Sequence, residues 1–161
     1  MTETRLDPQE LRETFSAYPT GIALTAGHLN GSPAGMLTNS FSTVSLDPPI
    51  ISISFAKTST TWPTLQKLPQ LGVSVLAADD LDSANRLRRA TQDRFEDVTY
   101  TAHDGGALTL PGAAAHLIVK PYQTIEAGDH IIALYRVLDH HRASDAQPLV
   151  FHNSAMRPLA A

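Results

Sequence analysis

An antiparallel β-barrel carrying a few short helices is the fold class this sequence predicts, and three observations predict it. Short β-rich runs recur along the chain, separated by Gly, Pro, Asn and Asp. Ile51-Ser52-Ile53-Ser54-Phe55 alternates strictly, so Ile51, Ile53 and Phe55 share one face and Ser52 and Ser54 the other. Helical segments are few and do not alternate regularly with strands, which favours a barrel over a doubly wound sheet.

The elements follow in order. A first helix is expected after Asp7, which can cap it. Pro8 suits its first turn, Glu10 completes a capping-box pattern, and Leu11 and Phe15 share a face. Tyr18-Pro19-Thr20-Gly21 breaks it. Strands are expected over 21–26, 34–45, 50–55 and 71–77, with Asn30-Gly31 as a hairpin tip. A helix is expected near Thr58-Ser59-Thr60, where hydroxyls can cap it and Pro63 lies in its first turn. Another starts at Asp79-Asp80, with Leu81, Ala84 and Leu87 at helical spacing and Arg86, Arg88 and Arg89 near its end, matching the helix dipole. Strands return over 115–120, 130–139 and 149–151. No repeat, low-complexity tract or linker interrupts the chain, so residues 1–161 read as one domain.

Composition narrows the function. The chain has 161 residues, enough to bury roughly two-thirds of its unfolded surface. Its net charge of −4 argues against a general nucleic-acid binder, which would carry a basic stripe. The absence of cysteine excludes disulfides, thiolate catalysis and thiolate metal sites. The polar, acidic start does not read as a secretory signal, and no apolar run reaches the roughly 20 residues of a membrane span. A soluble cytoplasmic protein is expected.

The segment 35–49, GMLTNSFSTVSLDPP, concentrates hydroxyl, amide and apolar side chains in one strand-like run. Asn39 and Ser40 offer donors and acceptors for a planar, hydrogen-bonding ligand; equally, a turn or bulge could satisfy them. Lys57 to Thr60 joins a cation, hydroxyls and a helix start, the ingredients of a phosphate site or of an ordinary cap. The seven histidines include the adjacent pair His140 and His141, which on a strand point to opposite faces. No HExxH, HxH or carboxylate-paired spacing appears, so no metal site is expected. Gly27, Gly31 and Gly35 make neither a dinucleotide fingerprint nor a Walker loop, and no nucleophile–base pair stands out.

The 35–49 segment resembles the signature of the flavin reductase-like proteins. Four further segments agree in order: Tyr18-Pro19-Thr20-Gly21, Lys57-Thr58-Ser59-Thr60-Thr61-Trp62-Pro63, Asp93-Arg94-Phe95 and Gly128-Asp129-His130. The resemblance covers roughly 15–151. It implies a mainly β fold, the FMN-binding split β-barrel (Greek-key, antiparallel), and a homodimer with flavin between subunits. It also implies an NAD(P)H:flavin oxidoreductase that passes hydride from NADH or NADPH to FMN or FAD and supplies a partner monooxygenase. His130 would then lie beside flavin and nicotinamide as the catalytic residue. Cofactor contacts are implied for Thr20, Met36, Leu37, Thr38, Asn39, Ser40, Ser54, Phe55, Lys57, Ser59, Thr60, Arg94 and Phe95. In this reading Lys57 to Thr60 hold the flavin phosphate and Arg94 adds a second cation.

The chain departs from the family pattern at three places. Leu37 stands where the signature has threonine and Thr38 where it has a small residue, which moves the hydroxyl to the opposite face. Tyr135 replaces a frequent glycine, either crowding the barrel or joining a substrate pocket. Ser154 and Met156 replace a closing glycine and aromatic residue. These departures keep two alternatives open: a flavin-dependent oxidoreductase acting directly on a small biosynthetic intermediate, and a non-catalytic flavin-binding module.

Overall fold

The computed structural model describes residues 5–159. Among them, Asp7 caps helix α1 (Pro8–Ser16), its Oδ1 accepting from the N–H of Gln9 at 2.8 Å and of Glu10 at 3.0 Å. The reciprocal half of the expected capping box is not formed by Glu10. No residue of α1 is buried, and Phe15 is 66% exposed, so the expected apolar face is uncovered.

Strands β1 (Thr20–Gly21), β2 (Ala23–Leu29), β3 (Ser32–Thr38), β4 (Ser42–Leu46) and β5 (Pro49–Ala56) follow. Asn30 and Gly31 take positive φ of 53° and 79° between β2 and β3, a two-residue hairpin turn that Asn-Gly suits. The strand expected over 34–45 is a correction. It breaks at residues 39–41, because β3 pairs with β2 whereas β4 pairs with β5.

Next come the one-turn helix α2 (Trp62–Leu65), β6 (Leu71–Val75), and α3 (Leu81–Arg86) behind a 3₁₀ turn whose Asp80 accepts from the Ala77 N–H at 2.7 Å. The short strands β7 (Thr101–Ala102) and β8 (Leu108–Thr109) pair with each other. Last are β9 (Ala115–Ala127), β10 (His130–Arg142), β11 (Leu149–His152) and β12 (Ala155–Pro158). Strand β9 outruns its expected end at Lys120 by passing through Pro121. There the register slips, so Tyr122 is the extra residue of a bulge. Pairing with β6 has already ended at Val119, so no ladder on that side needs the N–H that proline lacks. Strand β12 had no counterpart in the sequence reading; it is four residues without an alternating pattern.

Seven strands form one antiparallel sheet in the order β3-β2-β6-β9-β10-β5-β4. Its two edge strands, β3 and β4, are consecutive in the chain and separated by only residues 39–41. Three residues span about 10 Å, so the sheet must roll to bring its two edges near each other, although no strand pairing closes it between β3 and β4. Inside the roll, Ile51, Ile53, Phe55, Trp62, Leu65 and Tyr135 belong to one core. A second core packs outside it, where Leu24 and Ala26 meet Leu76, Leu87, Leu110 and Leu149. The alternation in β5 behaves as read: Ile51, Ile53 and Phe55 are buried and Ser52 and Ser54 are half-buried.

Candidate active site

The rolled sheet brings the sequence-predicted segments to one seam. Ser40, in the break between β3 and β4, reaches β5: its Oγ accepts from the Ser54 N–H at 2.9 Å and donates to the Ser54 carbonyl at 3.1 Å. One hydroxyl thus stands in for a strand partner at the barrel's opening. That engagement favours the structural reading of Ser40 and leaves Asn39, exposed beside it, as the free amide.

Next to the seam, Ser59 Oγ accepts from the N–H groups of Thr61 at 3.2 Å and Trp62 at 3.1 Å, and lies 3.6 Å from Met36 Sδ. Ser59 thus holds the turn ahead of α2, whose N-cap, Thr61, makes no side-chain capping bond, so the hydroxyl cap expected at 58–60 is not formed at the helix itself. Lys57 and Thr60 are exposed. Lys57 Nζ pairs with Glu126 at 3.2 Å, while its backbone N–H donates to Asp129 O at 2.9 Å and ties this turn to the His130 strand. Thr60 Oγ1 sits 3.3 Å from Thr91 Oγ1.

Arg94 is inside this junction. Its Nη1 donates to Gly35 O at 2.7 Å and to Thr61 Oγ1 at 3.0 Å, fastening β3 to the α2 turn. Partial burial lowers its pKa from the ordinary 12.5, yet guanidinium keeps its charge. The neighbouring Phe95 ring packs on β3: a Cβ on Gly35 would lie 2.9 Å from its Cζ, so only glycine admits this approach. Phe55 is fully buried and stacks on Trp62 with centroids 4.5 Å apart, so its ring faces the core and cannot meet a ligand.

His130 follows the β9–β10 turn and pairs in register with Ala127 and Ala56. Its side chain is 45% exposed, and Nδ1 lies 2.7 Å from Asp129 Oδ1. That bond holds the Asp129 carboxyl below the usual range. It also orients the ring, with Nε2 directed away from the carboxylate.

Leu37, Thr38 and Met156, three of the departures from the signature, share one place. Leu37, opposite Leu24, packs on the outer core, as do Phe151 and Met156. A cavity of ≈ 220 Å³ lies there, lined by Ile22, Leu37, Thr38, Asn39, Arg88, Phe151 and Met156. The Oγ1 atoms of Thr38 and Thr20 are buried without a hydrogen-bond partner. Arg88 was not among the predicted site residues; its only sequence signal was a place in an arginine-rich helix end. Tyr135 lies elsewhere, buried in the inner core and bordering a ≈ 270 Å³ cleft with Trp62, Gln66 and Tyr122.

Residues 15–160 match the model of the flavin reductase like domain. The chain belongs to the flavin reductase-like family. A flavin reductase of Pseudomonas putida is 30% identical over 100% of this chain and 95% of its own length. The actinorhodin polyketide dimerase of Streptomyces coelicolor is 33% identical over 90% of this chain and 82% of that protein. Two relatives from Rhizobium meliloti are longer, and the chain spans 44% and 57% of them. Among solved structures, the Streptomyces globisporus NADH:FAD oxidoreductase in complex with NAD and FAD fragments superposes with a TM-score of 0.89 at 32% identity, over 98% of this chain and 97% of that one. The mainly β fold with a few short helices and the family membership expected from the sequence are both borne out, with the rolled sheet left unpaired between β3 and β4.

Proposed function

We propose that this protein is an NAD(P)H-dependent flavin reductase whose site lies along the seam between β3 and β5, with reduced flavin passing to a separate monooxygenase. The observation that carries the reading is convergence. Segments 35–40, 54–61, 94 and 129–130 are held together by direct hydrogen bonds. The residues suit a flavin. Orphaned buried hydroxyls at Thr20 and Thr38, the free amide of Asn39 and the hydroxyl of Thr60 supply polar partners at this surface.

A bound flavin accepts hydride from a reduced nicotinamide; the protein's part is placement and charge. Asn39 and Thr38 orient the ring, Lys57 and Thr60 draw the phosphate, and Ser40 and Arg94 keep the walls in position. His130, aimed by Asp129, orients the nicotinamide or supplies a proton beside the flavin. Such an enzyme, working on a cytoplasmic nucleotide pool, acts as a homodimer. A ≈ 620 Å³ apolar groove lined by Phe41, Leu46, Ile50, Val137 and Leu138 supports that assembly.

The test is absorbance loss of NADH or NADPH with free FMN or FAD and purified protein. Rapid consumption that saturates with flavin is expected. No consumption at saturating flavin would overturn the reading. The likeness to a polyketide dimerase favours one second reading, direct action on a biosynthetic intermediate. A yellow protein with one flavin per chain and no free-flavin reductase activity would select it.

A further inference from the structure

We propose that Arg88 is a phosphate-binding residue, and that the cavity it lines takes the phosphate of a nucleotide ligand together with the flat apolar group beside it. The inference rests on the flavin reductase reading above and names a contact that reading does not assign.

Four arginines fall within residues 86–94, and three are committed to the fold. Arg86 Nη1 donates to Asp97 O at 2.6 Å, Arg89 Nη1 to Glu96 O at 3.3 Å, and Arg94 Nη1 to Gly35 O at 2.7 Å. Arg88 differs. It is exposed, and its side chain makes no hydrogen bond or ion pair with any described residue. It lines the ≈ 220 Å³ cavity at the end of β3, and none of the described lining residues is acidic.

The rest of the lining defines what that cation meets. Ile22, Leu37, Phe151 and Met156 make apolar walls, while Thr38 and Asn39 bring a hydroxyl and an amide. The Thr38 Oγ1 atom is buried and unpartnered. A ligand with a planar ring and an anionic group satisfies all three: walls for the ring, polar partners for its edge, and a guanidinium for the anion. Flavin and pyridine nucleotides both carry such a combination. Their shared chemistry is an organophosphate next to a flat heterocycle.

Arg88→Gln keeps the side-chain length and removes the charge of a side chain that bonds to no described residue, leaving the backbone N–H bond to Asn85 O in place. Affinities of wild type and variant are measured by fluorescence titration for riboflavin, FMN and FAD. KM is measured for NADH, NADPH and the phosphate-free donor N-benzyl-1,4-dihydronicotinamide. If Arg88 holds the flavin phosphate, Kd for FMN and FAD rises about tenfold with riboflavin unchanged. If it holds the pyridine-nucleotide phosphate, the KM of NADH or NADPH rises about tenfold while flavin affinities and the phosphate-free donor are unchanged. Arg88→Lys retains most of either effect, since the charge remains. Unchanged values for every ligand, or riboflavin weakening as much as FMN, would overturn the proposal. A wild type that binds no flavin would instead overturn the underlying functional reading.

Discussion

Ser40 shows how much one hydroxyl can hold. By accepting from the N–H of Ser54 and donating to its carbonyl, it occupies the edge of β5 at the point where β4 has not yet begun to pair. Ser40→Ala leaves both backbone groups short of a partner at a half-buried position, an expected loss of about 1–3 kcal/mol in urea unfolding. Ser40→Thr retains the hydroxyl and most of that stability. Tyr135 gives the opposite sign. It is 1% exposed, its hydroxyl has no partner, and burial pushes the phenol well above its ordinary range, so it stays neutral. Tyr135→Phe is therefore expected to be neutral or to add about 1 kcal/mol of stability; a clear drop in melting temperature would show that the hydroxyl is satisfied. Leu37 was readable as a departure from the signature, but its effect was not. Only the register opposite Leu24 reveals that the side chain joins the outer core and an apolar cavity wall.

Among the elements, β3 and β4 read as one strand because nothing between them breaks β-propensity: 39–41 is Asn-Ser-Phe, not Gly or Pro. The break is topological, since consecutive residues must serve opposite edges of the sheet. Strand β9 departs in the other direction, running past the end expected at Lys120 because Pro121 is absorbed by the Tyr122 bulge. The long β9–β10 hairpin also aligns side chains that no motif connects. His116 faces His141 across the strands, with ring centroids 5.2 Å apart, and His103 lies 5.9 Å away on the other side. Burial, then repulsion from His141 and His103, lowers the His116 pKa; Asp139 opposes this in part. The folded protein thus binds this proton less readily than the unfolded chain does. Stability is fully present above the ordinary histidine value of 6.5 and is lost as pH falls below it. The melting temperature is expected to fall between pH 7 and pH 5, on the scale set by a histidine titration, and His116→Asn should flatten that slope.

At the scale of the whole molecule, one rolled sheet separates two cores and leaves much apolar surface outside both. Leu46 is 95% exposed, and bulges leave Val44, Tyr122 and Leu138 exposed as extra residues of their strands. Leu46 and Leu138 border the ≈ 620 Å³ apolar groove, the surface proposed above for a second subunit. Leu46→Lys would place a charge there and is expected to shift the protein from dimer to monomer in light scattering, with secondary structure unchanged. A variant that remains the same size would place the interface elsewhere. Legible in the residues alone were the mainly β fold class, the Asn30-Gly31 turn, the buried face of β5, the Asp7 cap and the family. Each of these depends on neighbours a few residues apart, where alternation, capping and turn chemistry act directly. What the fold alone reveals is that Ser40 bonds to β5, that Arg94 is a fastener while the Arg88 side chain has no partner among the described residues, and that His103, His116 and His141 meet. Those facts rest on pairings between distant segments, such as Arg94 with Gly35 and Ser40 with Ser54, and the rolled sheet creates them. A side chain's partners are set by what the fold brings to it, and no local pattern records that.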